Sequence, residues 1–322
     1  MVTWEDSIAA FVMFLLSVLG LLINSVAIVY VRRTKALRNV FGSLCLSHAV
    51  ADIGILLCFL LYAVPVTLLP EDVISAPAIT IISPRVGQIS ILLWNVCVYS
   101  HLFIAANRFL VICFPFRVQA LSSSSQKSSK LLVFVIEGCV WCFGLAHSIP
   151  YSWPQCGFEY NPRSQLWNFA FDECGDWLMH VDFVEGLSCI SAIVILDFAT
   201  FFKIRFGKKT NVKTSQAENK RRHRQQITFF IQGCSQGSLF IAKLLSFYFV
   251  STSSSDRWYL FVTTSIAWQL SHVLDGVVLL VFNPEFLRKF NKKTKVTQIE
   301  ATAAVNVSKF SVSAFRTSST IA

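Results

Sequence analysis

Seven ionisable side chains sit within long apolar runs of this chain: Asp52, Glu137, Asp182, Glu185, Asp197, Lys243 and Asp275. Placing such a group at the centre of a bilayer costs about 2.5–3.5 kcal/mol on insertion scales, so each calls for a partner or a function. Lys243 lies seven residues from one end of its run, and Glu185 seven residues from the corresponding end of the preceding run, with Asp182 a turn beyond. At a rise of about 1.5 Å per residue the three share a depth. A Lys243–Glu185 pair there would line a pocket for a small ligand; alternatively, either side chain snorkels toward the interface. A free Lys243 would suit an anionic ligand, whereas a paired one says little about ligand charge. Groups so placed do electrostatic recognition and charge switching. No enzyme activity and no cofactor is expected of them.

Composition sets the elements that must carry these residues. The chain is 54% hydrophobic and 14% charged with a mean hydropathy of +0.57, too apolar for a soluble domain of its length. Apolar runs extend over Ser7–Val31, Val40–Leu61, Val86–Cys113, Leu131–Ile149, Leu178–Phe202, Ile227–Val250 and Tyr259–Phe282. Each is long enough for the roughly 20 residues that a helix needs to cross the hydrocarbon core. The runs are continuous rather than alternating, which argues against a barrel and leaves helices as the form that satisfies its own backbone. The expected fold is an all-α membrane protein, a seven-transmembrane helix bundle over 7–282 behind an outer N-terminus, 1–6.

Lys and Arg set the orientation. Arg32, Arg33, Lys35 and Arg38 follow the first run, Lys203–Arg224 joins the fifth to the sixth, and the tail is again basic, while only Arg85, Arg163 and Arg257 fall on the opposite side. The positive-inside rule then puts the N-terminus outside and the C-terminus in the cytoplasm of a multi-pass plasma-membrane protein. Cations held near anionic lipid account for the net charge of +10 without any nucleic acid partner. Glu5 and Asp6 precede the first run where a signal peptide would have a basic leader, so that run is expected to remain as a span. The sequon Asn306-Val307-Ser308 lies on the cytoplasmic side, where no N-glycan is expected. Of ten cysteines, eight fall in or at the ends of spans and read as packing. Cys156 and Cys174 lie in the long loop between the fourth and fifth runs on the oxidising side, where they are either bridged, ordering a roof over the bundle, or free.

Several residues fall on landmarks of rhodopsin-like receptors. They are Asn24, the stretch Leu46–Asp52, Asn107-Arg108-Phe109 with Pro115 seven residues beyond the arginine, Trp141, and Asp275-Gly276-Val277-Val278-Leu279. Other stretches resemble the nematode serpentine chemoreceptors of class X more closely: Leu37–Ser47, Gly87-Gln88, Tyr99-Ser100-His101, Phe229–Cys234, Trp268, His272, and Phe282–Phe286. The order and spacing of these motifs, over roughly residues 15–290, carry the resemblance. It implies a G-protein-coupled chemosensory receptor at sensory cilia, with a small-molecule ligand, a heterotrimeric G protein and the lipid bilayer as partners.

The resemblance also assigns roles. Asn107, Arg108, Phe109 and Pro115 would couple to the G protein, with Asp197 a candidate counterion for Arg108 because Asn107 replaces the usual acid; snorkelling is the alternative for Asp197. Asp52 and Asp275 would face one mid-bundle cavity with Asn24, lined further by Cys97 and Ser271, and act as a sodium- or proton-linked switch or as a hydrogen-bonded structural pair. No other metal is expected. Asp182, Glu185, Lys243 and Trp268 are the ligand-pocket candidates. Asn283-Pro284 would turn the chain into a short amphipathic eighth helix over 283–295, with a disordered cytoplasmic tail over 296–322. Departures from the superfamily are the missing cysteine near Ser83, the missing Cys-Trp-x-Pro kink in the sixth span, and Leu279 in place of a tyrosine. Gln269 replaces the retinal lysine and excludes an opsin. A seven-span ligand-gated channel or a small-solute transporter is the alternative class. The former has the opposite orientation, and the latter would favour an internal repeat that is not seen here.

Overall fold

The computed structural model describes residues 2–115, 126–206, 216–283 and 286. Among the described residues, seven long helices follow one another: α1 (Trp4–Arg33), α2 (Val40–Thr67), α3 (Pro77–Cys113), α4 (Gln126–Ser148), α5 (Glu173–Phe206), α6 (Gln216–Leu245) and α7 (Arg257–Val281). The family of apolar runs thus becomes a helix bundle, and large apolar residues such as Leu22, Leu61, Phe134 and Ile195 remain exposed on its outside, as a lipid-facing surface requires.

Several helices exceed the apolar runs that announce them. α3 begins at Pro77 rather than Val86, a position that suits proline because the first helical turn needs no donor. α1 begins at Trp4, inside the segment expected to precede the bundle. Thr3 caps it: its hydroxyl accepts from the Asp6 amide at 3.2 Å while the Asp6 carboxylate accepts from the Thr3 amide at 2.8 Å. Among the described residues, α1 to α5 and α7 are long and apolar enough to cross a membrane. The apolar half of α6 is interrupted by Gln232, Gln236 and Lys243. All three are buried, and α6 packs against α3, α5 and α7. Without the proline kink, α6 changes pitch through a π-turn at Ser246–Val250, where the Ser246 hydroxyl donates to the Thr263 carbonyl of α7 at 2.6 Å.

The loop between α4 and α5 contains structure that the apolar runs do not announce. Strands β1 (Phe158–Asn161) and β2 (Leu166–Phe169) form an antiparallel hairpin with Phe158 opposite Phe169 and Tyr160 opposite Trp167. Asn161 closes its turn by accepting from the amides of Arg163 and Ser164 at 2.9 and 3.2 Å. Cys156 and Cys174 are joined in a disulfide that ties the hairpin's base to the start of α5. The hairpin buries Phe158, Tyr160 and Trp167 against the bundle. It rests on Gly87 of α3, where a Cβ would stand 1.5 Å from the Phe158 carbonyl oxygen. The Tyr160 and Thr67 hydroxyls meet at 2.7 Å, the Ser265 hydroxyl donates to the Gln165 carbonyl at 2.6 Å, and the Gln165 amide donates to Asp6 at 3.2 Å. The same carboxylate pairs with Arg257, so the hairpin is fastened to α1, α2, α3 and α7.

A separate unit begins at Asn283, and the eighth helix and the tail fall outside the described residues except for Asn283 and Phe286, where the Phe286 amide donates to the Asn283 side chain at 3.2 Å.

Candidate functional site

Buried polar side chains form three layers along the bundle, and the innermost is the simplest. Arg108, in the last turns of α3, is 5% exposed and its Nη2 lies 2.7 Å from Asp197 Oδ1 on α5. Its Nη1 donates to the Phe229 carbonyl of α6 at 3.4 Å. The guanidinium fits only because residue 233 is glycine: a Cβ there would lie 1.1 Å from Nη1. A single side chain therefore joins α3, α5 and α6, and removing one partner of such a buried pair typically costs about 3–5 kcal/mol. Asn107 is half-buried beside it, the Phe109 ring packs on Phe114 at 5.8 Å, and Pro115 is exposed.

The middle layer holds Asp52 of α2 and Asp275 of α7, both almost fully buried. His48 stands between them, its Nε2 3.5 Å from a carboxylate oxygen of each. His272 Nδ1 lies 2.7 Å from Asp52 Oδ1, the Cys97 thiol 3.5 Å from the same oxygen, and the His101 ring 4.3 Å from the His48 ring. Cys97 and Ser271 line a small cavity with His48, His101, His272 and Asp275, but the Ser271 hydroxyl is spent on the Trp268 carbonyl at 2.7 Å. Asn24 braces the layer from α1, donating to the His272 carbonyl at 3.0 Å. Carboxylates this close in a dry interior call for a compensating proton or cation.

The outer layer lies beneath the hairpin. A cavity of about 40 Å³ is bounded by Trp94, Phe158, Phe169, Asp182, Lys243 and Trp268. The Lys243–Glu185 pair expected from their common depth is not formed. Lys243 Nζ instead lies 2.8 Å from the Trp94 ring centroid and 4.9 Å from that of Trp268, a cation–π box. Glu185 takes His147 of α4 as its partner, with Nδ1 at 2.6 Å, and Asp182 accepts from the Tyr248 hydroxyl at 2.9 Å. The reason is angular: equal depth fixes height along neighbouring helices but not which side chains face each other. The remaining ionisable group, Glu137, accepts a hydrogen bond from Ser43.

A larger cavity, about 540 Å³, is on the other side of the hairpin, among Tyr62, Ile74, Ser83, Glu159 and Arg163. Glu159 is exposed at its rim, yet partial desolvation raises its carboxyl above the usual range, against the opposing hydrogen bond from Ser83.

The sequence model of the family "Serpentine type 7TM GPCR chemoreceptor Srx" matches residues 14–283, nearly the whole bundle. The chain belongs to this family. It is 28% identical over 300 residues to serpentine receptor class X 45 of Caenorhabditis elegans, covering 87% of this chain and 80% of that one. It is also 28% identical over 309 residues to serpentine receptor class X-43 of the same organism, covering 92% and 91%. This serpentine receptor is thus a multi-pass membrane protein of a chemoreceptor family, which is not a family of enzymes.

Reading charged groups alone misses four histidines of this receptor. His48 precedes Asp52 by four residues and His272 precedes Asp275 by three, spacings that place each pair on one helix face and could have revealed both. His101 and His147 have no such signal, because their neighbours in the cluster come from other helices.

Proposed function

We propose that this chain binds a small chemical ligand from the outer side, beneath the α4–α5 hairpin, and activates a heterotrimeric G protein through the inner ends of α3, α5 and α6. The observation that carries the reading is the Arg108 link. One buried guanidinium holds those three helices together, and its release from Asp197 of α5 and from the Phe229 carbonyl of α6 frees α6 to move away from α3. The G protein then meets Arg108 with Asn107, Phe109 and Pro115. The mid-bundle layer of Asn24, Asp52, Cys97, Ser271 and Asp275 relays between the two ends. His48 occupies the place between the carboxylates where a sodium ion would sit, which favours the proton as the switched species. The basic loops support an N-terminus outside and a C-terminus in the cytoplasm, and the family resemblance supports sensory cilia as the site of action.

The test is guanine-nucleotide exchange on a co-expressed G protein, basal and with a panel of small chemicals. Arg108→Ala should abolish exchange while leaving most of the receptor at the cell surface; unchanged exchange removes the role given to Arg108. A tag after Ala322 that stains intact cells would overturn the orientation and the G-protein reading together.

A further inference from the structure

His147, Asp182 and Glu185 converge from α4 and α5 on one point. The geometry points to a binding site for a divalent transition-metal ion, with zinc the ion of matching chemistry. One donor atom from each residue can be chosen so that all lie within 4.8 Å of one another. His147 Nε2 has no hydrogen-bond partner, and it faces Asp182 Oδ1 at 3.8 Å. That separation is too long for a hydrogen bond. It is close to the ~3.3 Å between two donors around one tetrahedral zinc with bonds of roughly 2.0–2.1 Å. Glu185 is ion-paired with His147, and the Tyr99 hydroxyl of α3 is the other group that approaches its carboxylate. Small side-chain rotations bring all three donors to bonding distance and leave a fourth position for water or another ligand, the arrangement of an open zinc site.

Charge and donor type point the same way. Two carboxylates share this buried corner with one imidazole, and a divalent cation neutralises the pair more completely than one proton does. An imidazole donor selects zinc, copper or nickel over calcium and magnesium, which take oxygen ligands. The outer shell is in place: the Tyr248 hydroxyl fixes Asp182 at 2.9 Å, and the His147 ring stacks on the buried Tyr151. The other titratable groups facing the site are Tyr99 of α3, Tyr151, Cys189 of α5, Lys243 of α6 and Tyr248 of the π-turn that follows it. Asp182 also borders the Lys243 cavity, so a bound metal would sit against the wall of the proposed ligand pocket. The metal site itself does not depend on that reading, because binding can be measured without signalling.

The experiment titrates Zn²⁺ into the full-length receptor, purified in detergent without a histidine tag and stripped with chelator. One ion per chain is expected, bound more weakly at pH 5.5 than at pH 7.4 because protons compete for the imidazole. His147→Ala and Glu185→Gln should each weaken binding at least tenfold, and His147→Cys should retain it. Thermal unfolding without metal identifies any variant that fails to fold, and Glu185→Gln, which keeps side-chain size, then stands in for it. Absence of stoichiometric binding to the wild type overturns the site. Binding unchanged in His147→Ala but lost in Cys97→Ser would place the ion in the mid-bundle layer and overturn it equally.

Discussion

Arg108 of α3 and Gly233 of α6 are in such close apposition that even one methyl group on the glycine would stand 1.1 Å from the guanidinium. The atom met is the tip of a flexible side chain, so Gly233→Ala should leave the bundle folded and displace the guanidinium from Asp197. Basal nucleotide exchange should rise several-fold, and Asp197→Asn should raise it in the same direction. Basal exchange at the wild-type level in both would show that the link does not hold the resting state.

The hairpin depends on a contact of the opposite kind, since Gly87 meets backbone. A Cβ 1.5 Å from the Phe158 carbonyl cannot be relieved by a rotamer change. Gly87→Ala should cost about 1–3 kcal/mol, the usual range for overpacking. Amide exchange across β1 and β2 should accelerate while α7 amides stay protected.

Reduction of the Cys156–Cys174 disulfide should also act locally. The bridge spans 18 residues, and closing a loop of that size stabilises by about 3 kcal/mol in the chain-entropy account. Cys156→Ser with Cys174→Ser should lower the melting temperature and expose the hairpin to protease, whereas replacing Cys139 and Cys142 should do neither.

Glu159 gives the hairpin a pH dependence whose sign follows from its raised pKa. The folded chain holds that proton more tightly than the unfolded one. Its stabilising contribution is therefore complete below the unfolded value and is lost as pH rises through the folded one. The exposure of Glu159 keeps the effect small. Hairpin amide protection, corrected for intrinsic exchange, should fall modestly from pH 4 to pH 7, and Glu159→Gln should flatten that trend. An identical trend in the variant would assign it to other groups.

Much of this architecture is legible in the sequence because a bilayer leaves so few options. Seven apolar runs foretell seven helices. Depth along a helix is also legible, which brings Asp197 to the level of Arg108. Azimuth is not. Lys243 and Glu185 share a level, yet one turns to Trp94 and the other to His147. The hairpin was hidden by its brevity: Phe158–Asn161 and Leu166–Phe169 are four residues each. Their alternation around Asn161-Pro162 is a weak signal that only burial against α3 makes decisive.

A cavity of about 40 Å³ beneath the hairpin is far below the ~300–1,000 Å³ of ordinary small-molecule sites, and the receptor's own lysine already sits on the indoles that enclose it. On the proposed reading, in which the ligand binds beneath the hairpin, the shape described here is the contracted member of an equilibrium. A stimulus of any size must await, or drive, the dilated one. Apparent affinity is the intrinsic affinity scaled by the fraction of receptors already dilated. Substitutions that never touch the stimulus, such as those loosening the hairpin, should consequently shift the dose–response curve of every agonist by a common factor.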